Sequence, residues 1–236
     1  MKRLHAIVLI IALGFAGTAA AQTVDEVINK HLEAIGGKEK WRTIKSMKSE
    51  ASLTVQGMEI PITLHQIHEK AMRQDYTVMN MNAFSIIRKD SGWNYMPFQG
   101  QTAPEPLTAD ALKLGQDQLD IQGDLLDYAA KGNKVELLGK EDMEGAEVFK
   151  IKLTKKSGNE VTQFIDAKNY YMVSSSNKVN VNGQEMEMKT NFSNFQKLPE
   201  GIVVPFTMES SALPGPMMYK KIEVNPVIPD SVFTLK

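Results

Sequence analysis

The sequence predicts a mainly β fold of the α+β kind: a wide, curled antiparallel sheet of about eleven strands, with an N-terminal helix and short helices in its mouth over an apolar cavity. Three observations carry this expectation. Apolar residues recur at helical spacing in one short segment near the start of the mature chain, but at a spacing of two almost everywhere after Met47. One stretch, Leu107–Ala130, interrupts the strand pattern. Turn residues such as Asn182-Gly183 and Ser157-Gly158-Asn159 separate neighbouring strands at hairpin distance.

Residues 1–21 read as a cleavable export signal. Lys2-Arg3 is a basic leader, Ala6–Phe15 an apolar run, and Ala19-Ala20-Ala21 a small-residue cleavage site, so the mature chain starts at Gln22. The apolar run is shorter than the ~20 residues that a bilayer span needs. The expected location is the periplasm. The 236 residues include no Cys, which excludes disulfides, thiolate metal sites, cysteine nucleophiles and a lipid-anchored N-terminus. A formal charge of −1 creates no global field for nucleic acid or an anionic membrane. No linker divides the mature chain, and residues 22–236 read as a single domain.

The elements follow in order. Thr23 and Glu26 form a capping box ahead of Val24, Val27, Ile28, Leu32 and Ile35, one apolar stripe that Gly36-Gly37 brings to an end. A short helical turn is expected around Trp41 and Ile44. Strands then begin at Met47. Ala51, Leu53 and Val55 alternate with polar partners, as do Ile60, Ile62 and Leu64. Further strands are expected at Met72–Met79, Ala83–Lys89 and Trp93–Phe98. Within Leu107–Ala130, Thr108 can cap a helix, and two short helices broken near Gly123 are expected. Strands resume at Lys134–Gly139, Glu147–Lys155, Glu160–Asp166, Tyr170–Val181, Gln184–Lys197, Ile202–Ser210 and Met217–Val224. Val232-Phe233 is expected to fold back as a hydrophobic latch. So many strands and so few helices imply a sheet that curls and leaves an apolar space beneath the helices.

Residues able to carry chemistry are scarce. The mature chain has His31, His65 and His68. His65 and His68 lie three apart in a strand pattern, so they point to opposite faces and make no metal pair. No Ser sits in a nucleophile-elbow setting, and there is no phosphate-binding glycine motif. No catalytic residue, metal or cofactor is assigned. Methionine is the unusual feature, with 14 in all and pairs at Met79/Met81, Met186/Met188 and Met217/Met218 on strands. Unbranched thioether side chains repack around ligands of variable shape, although they also fill ordinary cores.

The order of motifs resembles the LolA/LolB-like family of outer-membrane lipoprotein-sorting proteins, the periplasmic lipoprotein carriers. It is carried by Ile35-Gly36-Gly37 with Trp41, by Leu126-Asp127-Tyr128, and by Leu138-Gly139-Lys140-Glu141. Phe164-Ile165-Asp166-Ala167, Val181-Asn182-Gly183-Gln184-Glu185 and Gly201-Ile202-Val203-Val204-Pro205-Phe206 complete it. The resemblance implies a curled antiparallel half-barrel whose short helices act as a lid over the apolar cavity, and a non-catalytic binding or carrier protein for acyl chains of lipoproteins or related lipids. Its partners would be membrane-bound donor and acceptor proteins, and it would be monomeric. Family carriers tether the lid with an arginine on an early strand; here Arg73 and Arg88 are the nearest candidates. The expected cavity lining is Leu53, Val55, Ile60, Ile62, Leu64, Tyr76, Trp93, Tyr95, Met186, Met188, Phe206 and Met208. Leu112, Leu119, Leu125, Leu126 and Tyr128 would form the lid, with Gly115 and Gly123 as its soft points. The alternatives are a periplasmic sensor or interaction domain whose core is filled by its own side chains, and a hydrolase built on unmarked carboxylates.

Overall fold

The computed structural model describes residues 22–181 and 184–235, so the export signal and the Asn182-Gly183 turn lie outside the described residues. Helix α1 (Val24–Ala34) begins with the expected capping box. Thr23 Oγ1 accepts from the Glu26 N–H at 3.2 Å, and the Thr23 N–H donates to Glu26 Oε2 at 2.9 Å. Val27, Ile28, His31 and Leu32 are its buried face. Gly36 then takes φ +115°, and a Cβ there would stand 2.5 Å from the Gly201 carbonyl oxygen. Only glycine allows the chain to pass that close before turning into helix α2 (Lys38–Arg42).

Thirteen strands follow, all in one sheet. They are β1 (Ser46–Val55), β2 (Met58–Ile67), β3 (Ala71–Val78), β4 (Met81–Arg88), β5 (Gly92–Tyr95), β6 (Glu105–Pro106) and β7 (Lys134–Met143). The series continues with β8 (Ala146–Thr154), β9 (Glu160–Asp166), β10 (Met172–Val181), β11 (Gln184–Lys197), β12 (Val203–Ser210) and β13 (Met217–Val224). Their spatial order is β6-β5-β4-β3-β2-β1-β13-β12-β11-β10-β9-β8-β7, and the sheet stays open. The strand that the alternation pattern misses is β6. It is two residues long, and Pro106, which has no N–H, suits an edge.

The chain between β6 and β7 has to travel from one edge of this sheet to the other. It contains one helix, α3 (Ala109–Gln116), capped by Thr108 Oγ1. The second expected helix does not form: residues 117–132 are a run of turns, with Gly123 and Asp127 at φ +86° and +51°. We refer to residues 107–133 as the strap. Its neighbouring residues Gln116 and Asp117 grip opposite wings of the sheet. Gln116 Nε2 donates to the Lys89 carbonyl after β4 at 2.7 Å, and Asn159 Nδ2 before β9 donates to Asp117 Oδ2 at 2.8 Å. Those two strands are eight steps apart in the sheet, or ~38 Å if it were flat. The sheet therefore curls until its wings nearly meet, with the strap on the concave side.

Directly paired residues share a face, so the register sorts every strand position. Met47, Ala51, Ile62, Met72, Phe149, Ile165 and Phe206 face the concave side, where α1 and the strap cover the clusters of Met47, Met72, Phe149, Ile165 and Phe206 but not that of Ala51 and Ile62. The convex side carries most of the charge and one small apolar cluster of Ala71, Ile86 and Phe233. Phe233, the expected latch, is 2% exposed in the C-terminal turn Asp230–Phe233. Arg73 secures that turn by donating to the Val232 carbonyl at 3.2 Å while pairing with Asp75 at 2.7 Å. In this chain Arg73 tethers the tail on the convex face, not the strap.

Phe233→Ala is expected to lower the unfolding free energy by about 3–5 kcal/mol, because the tail's one buried anchor leaves a cavity behind. Denaturant titration checks this, and a loss below about 1 kcal/mol would mean that the tail is not part of the cooperative unit.

Candidate functional site

The concave face is divided between a covered end and an open one. At the covered end, α1 contributes Val27, Ile28 and Leu32, α2 contributes Trp41, and the strap contributes Leu125 and Leu126; they pack on Phe149, Ile151, Ile165, Val204 and Phe206. α3 sits close on β4, since a Cβ on Gly115 would meet Ile87 Cδ1 at 2.5 Å. Gly115 is thus a packing residue rather than a soft point. A cavity of about 180 Å³ remains between α1, the strap and strands β10–β12. Leu32, Trp41, Leu125, Met172, Phe192 and Val204 wall it, and His31, Gln122 and Asp124 are its polar accents.

The strap is held over this end largely by polar ties. Gln122 Nε2 donates to the Arg42 and Ile44 carbonyls at 3.3 and 3.0 Å. Arg42 grips Asp127 through two bonds of 2.9 and 2.7 Å and holds its carboxyl below the usual range. Lys155 stands 3.1 Å from Asp124 and 3.7 Å from Asp117; Lys131 pairs with Asp120 at 2.5 Å; Tyr128 donates to Asp25 at 2.7 Å. Burial nevertheless raises the Asp124 pKa, and the neighbouring Lys155 only partly offsets this. Asp117, Asp124 and Asp127 each meet a cation or amide supplied by another part of the molecule, whereas Asp120 pairs with Lys131 of the strap itself.

The open end is apolar and only partly shielded. Leu53, Ile62, Leu64, Tyr76 and Met208 cluster there with Ala51 and Met217. Val55, Ile60 and Met188 are half-buried beside them. Met58, Met79 and Met186 form an exposed fringe near the hairpin ends, at 55%, 76% and 53% exposure.

Ten of the twelve expected lining residues therefore share the concave face: nine toward the open end, and Phe206 in the covered core. Trp93 and Tyr95 do not. Each pairs with a convex position, Ile86 and Phe84 respectively, and Trp93 packs in the Phe233 cluster. The alternation of β5 marked them as one face of a strand but could not say which face. Of the expected lid residues, Leu119, Leu125 and Leu126 are buried, while Leu112 and Tyr128 are half-buried. Leu112 and Leu119 rest on Met72 and Ile87, and Leu125 and Leu126 on the main core. The residues around the cavity that sequence reasoning missed are His31, Trp41, Gln122, Met172 and Phe192. His31 was detectable, since it falls on the stripe of Val27, Ile28 and Leu32. Gln122 carries no periodic signal.

No family model matches the chain, and no curated protein matches it. Solved structures do. A LolA superfamily protein from Nitrosomonas europaea superposes with a TM-score of 0.58 at 14% identity, covering 91% of this chain and 99% of that one. A DUF1329 family protein from Desulfovibrio piger gives 0.57 at 13% identity, covering 91% and 98%. A proposed outer membrane lipoprotein-sorting protein domain from Vibrio parahaemolyticus gives 0.55 at 11% identity, covering 88% and 94%. The chain has a LolA-like fold.

Burial lowers the pKa of His31, His65 and His68 below the ordinary imidazole value of 6.5. The unfolded chain then binds more protons than the folded one in the window just below pH 6.5, so stability is complete above that value and falls as the pH drops through the window. The raised Asp124 acts in the opposite sense nearer to its ordinary value of 3.8. Thermal melts are expected to be flat from about pH 8 to 7 and to decline from about pH 6.5 to 5.5, less steeply in His31→Gln. A flat profile across both ranges would contradict this.

Proposed function

We propose that the protein is an exported, periplasmic, non-catalytic binding and carrier protein for acyl chains of lipoproteins or related lipids. The observation that carries this reading is an apolar concave face closed by a segment whose grip is made largely of hydrogen bonds and ion pairs. An acyl chain gains ~0.8 kcal/mol per buried methylene, so a carrier with an empty, rigid cavity would not release it. A strap competing for the same surface lowers the net affinity and makes release possible. The present cavity of about 180 Å³ is near the size that takes a single benzene ring, and below the ~300–1,000 Å³ of ordinary ligand sites. Loading an acyl chain therefore requires Leu125 and Leu126 to yield space. The polar ties can re-form with water once they part, which keeps that movement inexpensive. The LolA-like fold, shared with a proposed lipoprotein-sorting domain, agrees with this reading.

The small cavity also favours a second reading: a periplasmic sensor or interaction domain whose core is filled by its own side chains. Solvent extraction of residues 22–236, purified from a Gram-negative host, separates the two. Co-purified acyl lipids, and quenching or a shift of Trp41 fluorescence on adding an acyl probe, are the expected results. A lipid-free protein whose Trp41 emission ignores the probe would leave the self-filled core. Gln122→Ala removes both bonds from the strap to the α2–β1 joint. It is expected to cost about 1–3 kcal/mol of stability and to speed probe entry several-fold in stopped-flow fluorescence.

A further inference from the structure

One acceptor at this site is unengaged. His31 lines the cavity and is 5% exposed. Its Nδ1 lies 2.8 Å from the Tyr170 carbonyl oxygen, a contact that requires the proton on Nδ1. Burial keeps the ring neutral, outweighing the pull of that carbonyl. Nε2 is then a lone-pair acceptor, and no described residue donates to it. The amide of Gln122, which also lines the cavity, does not donate to it, being committed to the Arg42 and Ile44 carbonyls. Gln163 of β9 carries a buried Oε1 that also lacks a donor, but it is sealed in the sheet face and does not wall the cavity.

Charge is missing from the same surface. In the ten strands running from β5 to β9 in sheet order, no described residue at a paired concave position is Lys, Arg, Asp or Glu. Charged concave positions occur only at the margins: Glu105 on β6, and Lys140, Asp142 and Glu147 on β7 and β8. A carboxylate or phosphate drawn into the cavity would find no cation on the floor and would meet Asp124 at the wall. Burying an unpaired charge is far costlier than burying a hydroxyl that finds an acceptor.

We infer, resting on the lipid-binding reading above, that the buried polar part of the ligand is uncharged and donates a hydrogen bond to His31 Nε2. A neutral lipid bearing a hydroxyl or an amide N–H satisfies that atom. A free fatty acid at neutral pH does not, and it brings a charge. The site thereby separates neutral amphiphiles from anionic ones of equal chain length.

Three probes with the same twelve-carbon acyl chain test this at pH 7.5: monododecanoylglycerol, which is neutral with hydroxyl donors; methyl dodecanoate, which is neutral without a donor; and dodecanoate, the anion. Trp41 fluorescence in Trp93→Phe reads binding, because Trp41 lines the cavity while Trp93 lies on the convex face. The monoacylglycerol is expected to bind roughly tenfold more tightly than either competitor, the effect of one well-made hydrogen bond. His31→Phe keeps a ring but removes the acceptor, and is expected to erase the preference over the methyl ester without weakening the ester itself. Gln163→Leu, away from the cavity wall, is expected to leave the preference unchanged and to raise the melting temperature, since it removes an unsatisfied buried acceptor. If dodecanoate or the methyl ester binds wild type as tightly as the monoacylglycerol, the inference falls and lipid binding stands. If none of the three binds, both fall. A preference that survives in folded His31→Phe removes Nε2 from the role and overturns the inference.

Discussion

One constraint organises the molecule: two adjacent strap residues hold opposite wings of a thirteen-stranded sheet. Consecutive Cα atoms are only ~3.8 Å apart, so Gln116 on the Lys89 carbonyl and Asp117 on Asn159 leave the wings no freedom to spread. Strand twist prepares this closure. Eight interstrand steps of roughly 20–25° accumulate to about half a turn, which brings the β8–β9 hairpin round to the ends of β2–β3 and β4–β5. Residues from all three places, including Glu69, Lys89 and Ser157, line one polar cleft at the seam. The concave face and its cover are consequences of that closure.

An open sheet with two free edges would invite strand addition, and both edges are blunted. β6 is two residues long and ends in Pro106. β7 is longer, but its pairing slips between Leu137 and Gly139, and Lys134, Glu136 and Asp142 sit along it. Short edges, proline, irregular register and charge are the means by which edge strands avoid pairing with other chains. The half-barrel can therefore stay open without presenting an open edge to other strands.

The sheet was legible in the sequence because its two-residue period is strong and its hairpins are short. Alternation at Ala51, Leu53 and Val55 and at Ile60, Ile62 and Leu64 assigned one face to the core, and the register places those six residues together. Alternation says only that two faces differ. At β5 the concave position is occupied by Asn94 and the convex one by Trp93, because the C-terminal tail supplies a second apolar cover there. The strap failed differently. Leu112, Leu119, Leu125 and Leu126 look like an irregular helical stripe, yet they divide between two clusters, the first two on Met72 and Ile87 and the last two in the main core, in a segment tied by polar contacts to distant residues. Such ties are long-range, and nothing within the segment announces Arg42 or Lys155 as the partner. The cavity's polar atoms were hidden for a similar reason: His31 was visible on its helix, but its acceptor role depends on Tyr170, 139 residues away.

The balance between the two ends of the concave face follows from how each is held. Apolar contacts made by Leu125 and Leu126 resist opening in proportion to the surface exposed, and that surface is what an acyl chain would cover in exchange. The ties of Gln122, Asp124 and Asp127 oppose opening over a short range only, because water replaces their partners as soon as they separate. The exposed Arg42–Asp127 pair is further weakened by salt, whereas Lys155, deeper in the seam, is screened less. A strap fastened in this way moves with a small net change in buried apolar surface only when something apolar enters. The absence of a floor cation then means that the entering group need not be stripped from a charged partner to leave again. In the carrier reading proposed above, exchangeable cover and uncharged floor serve the same end: an amphiphile would be held through surface that the strap can take back.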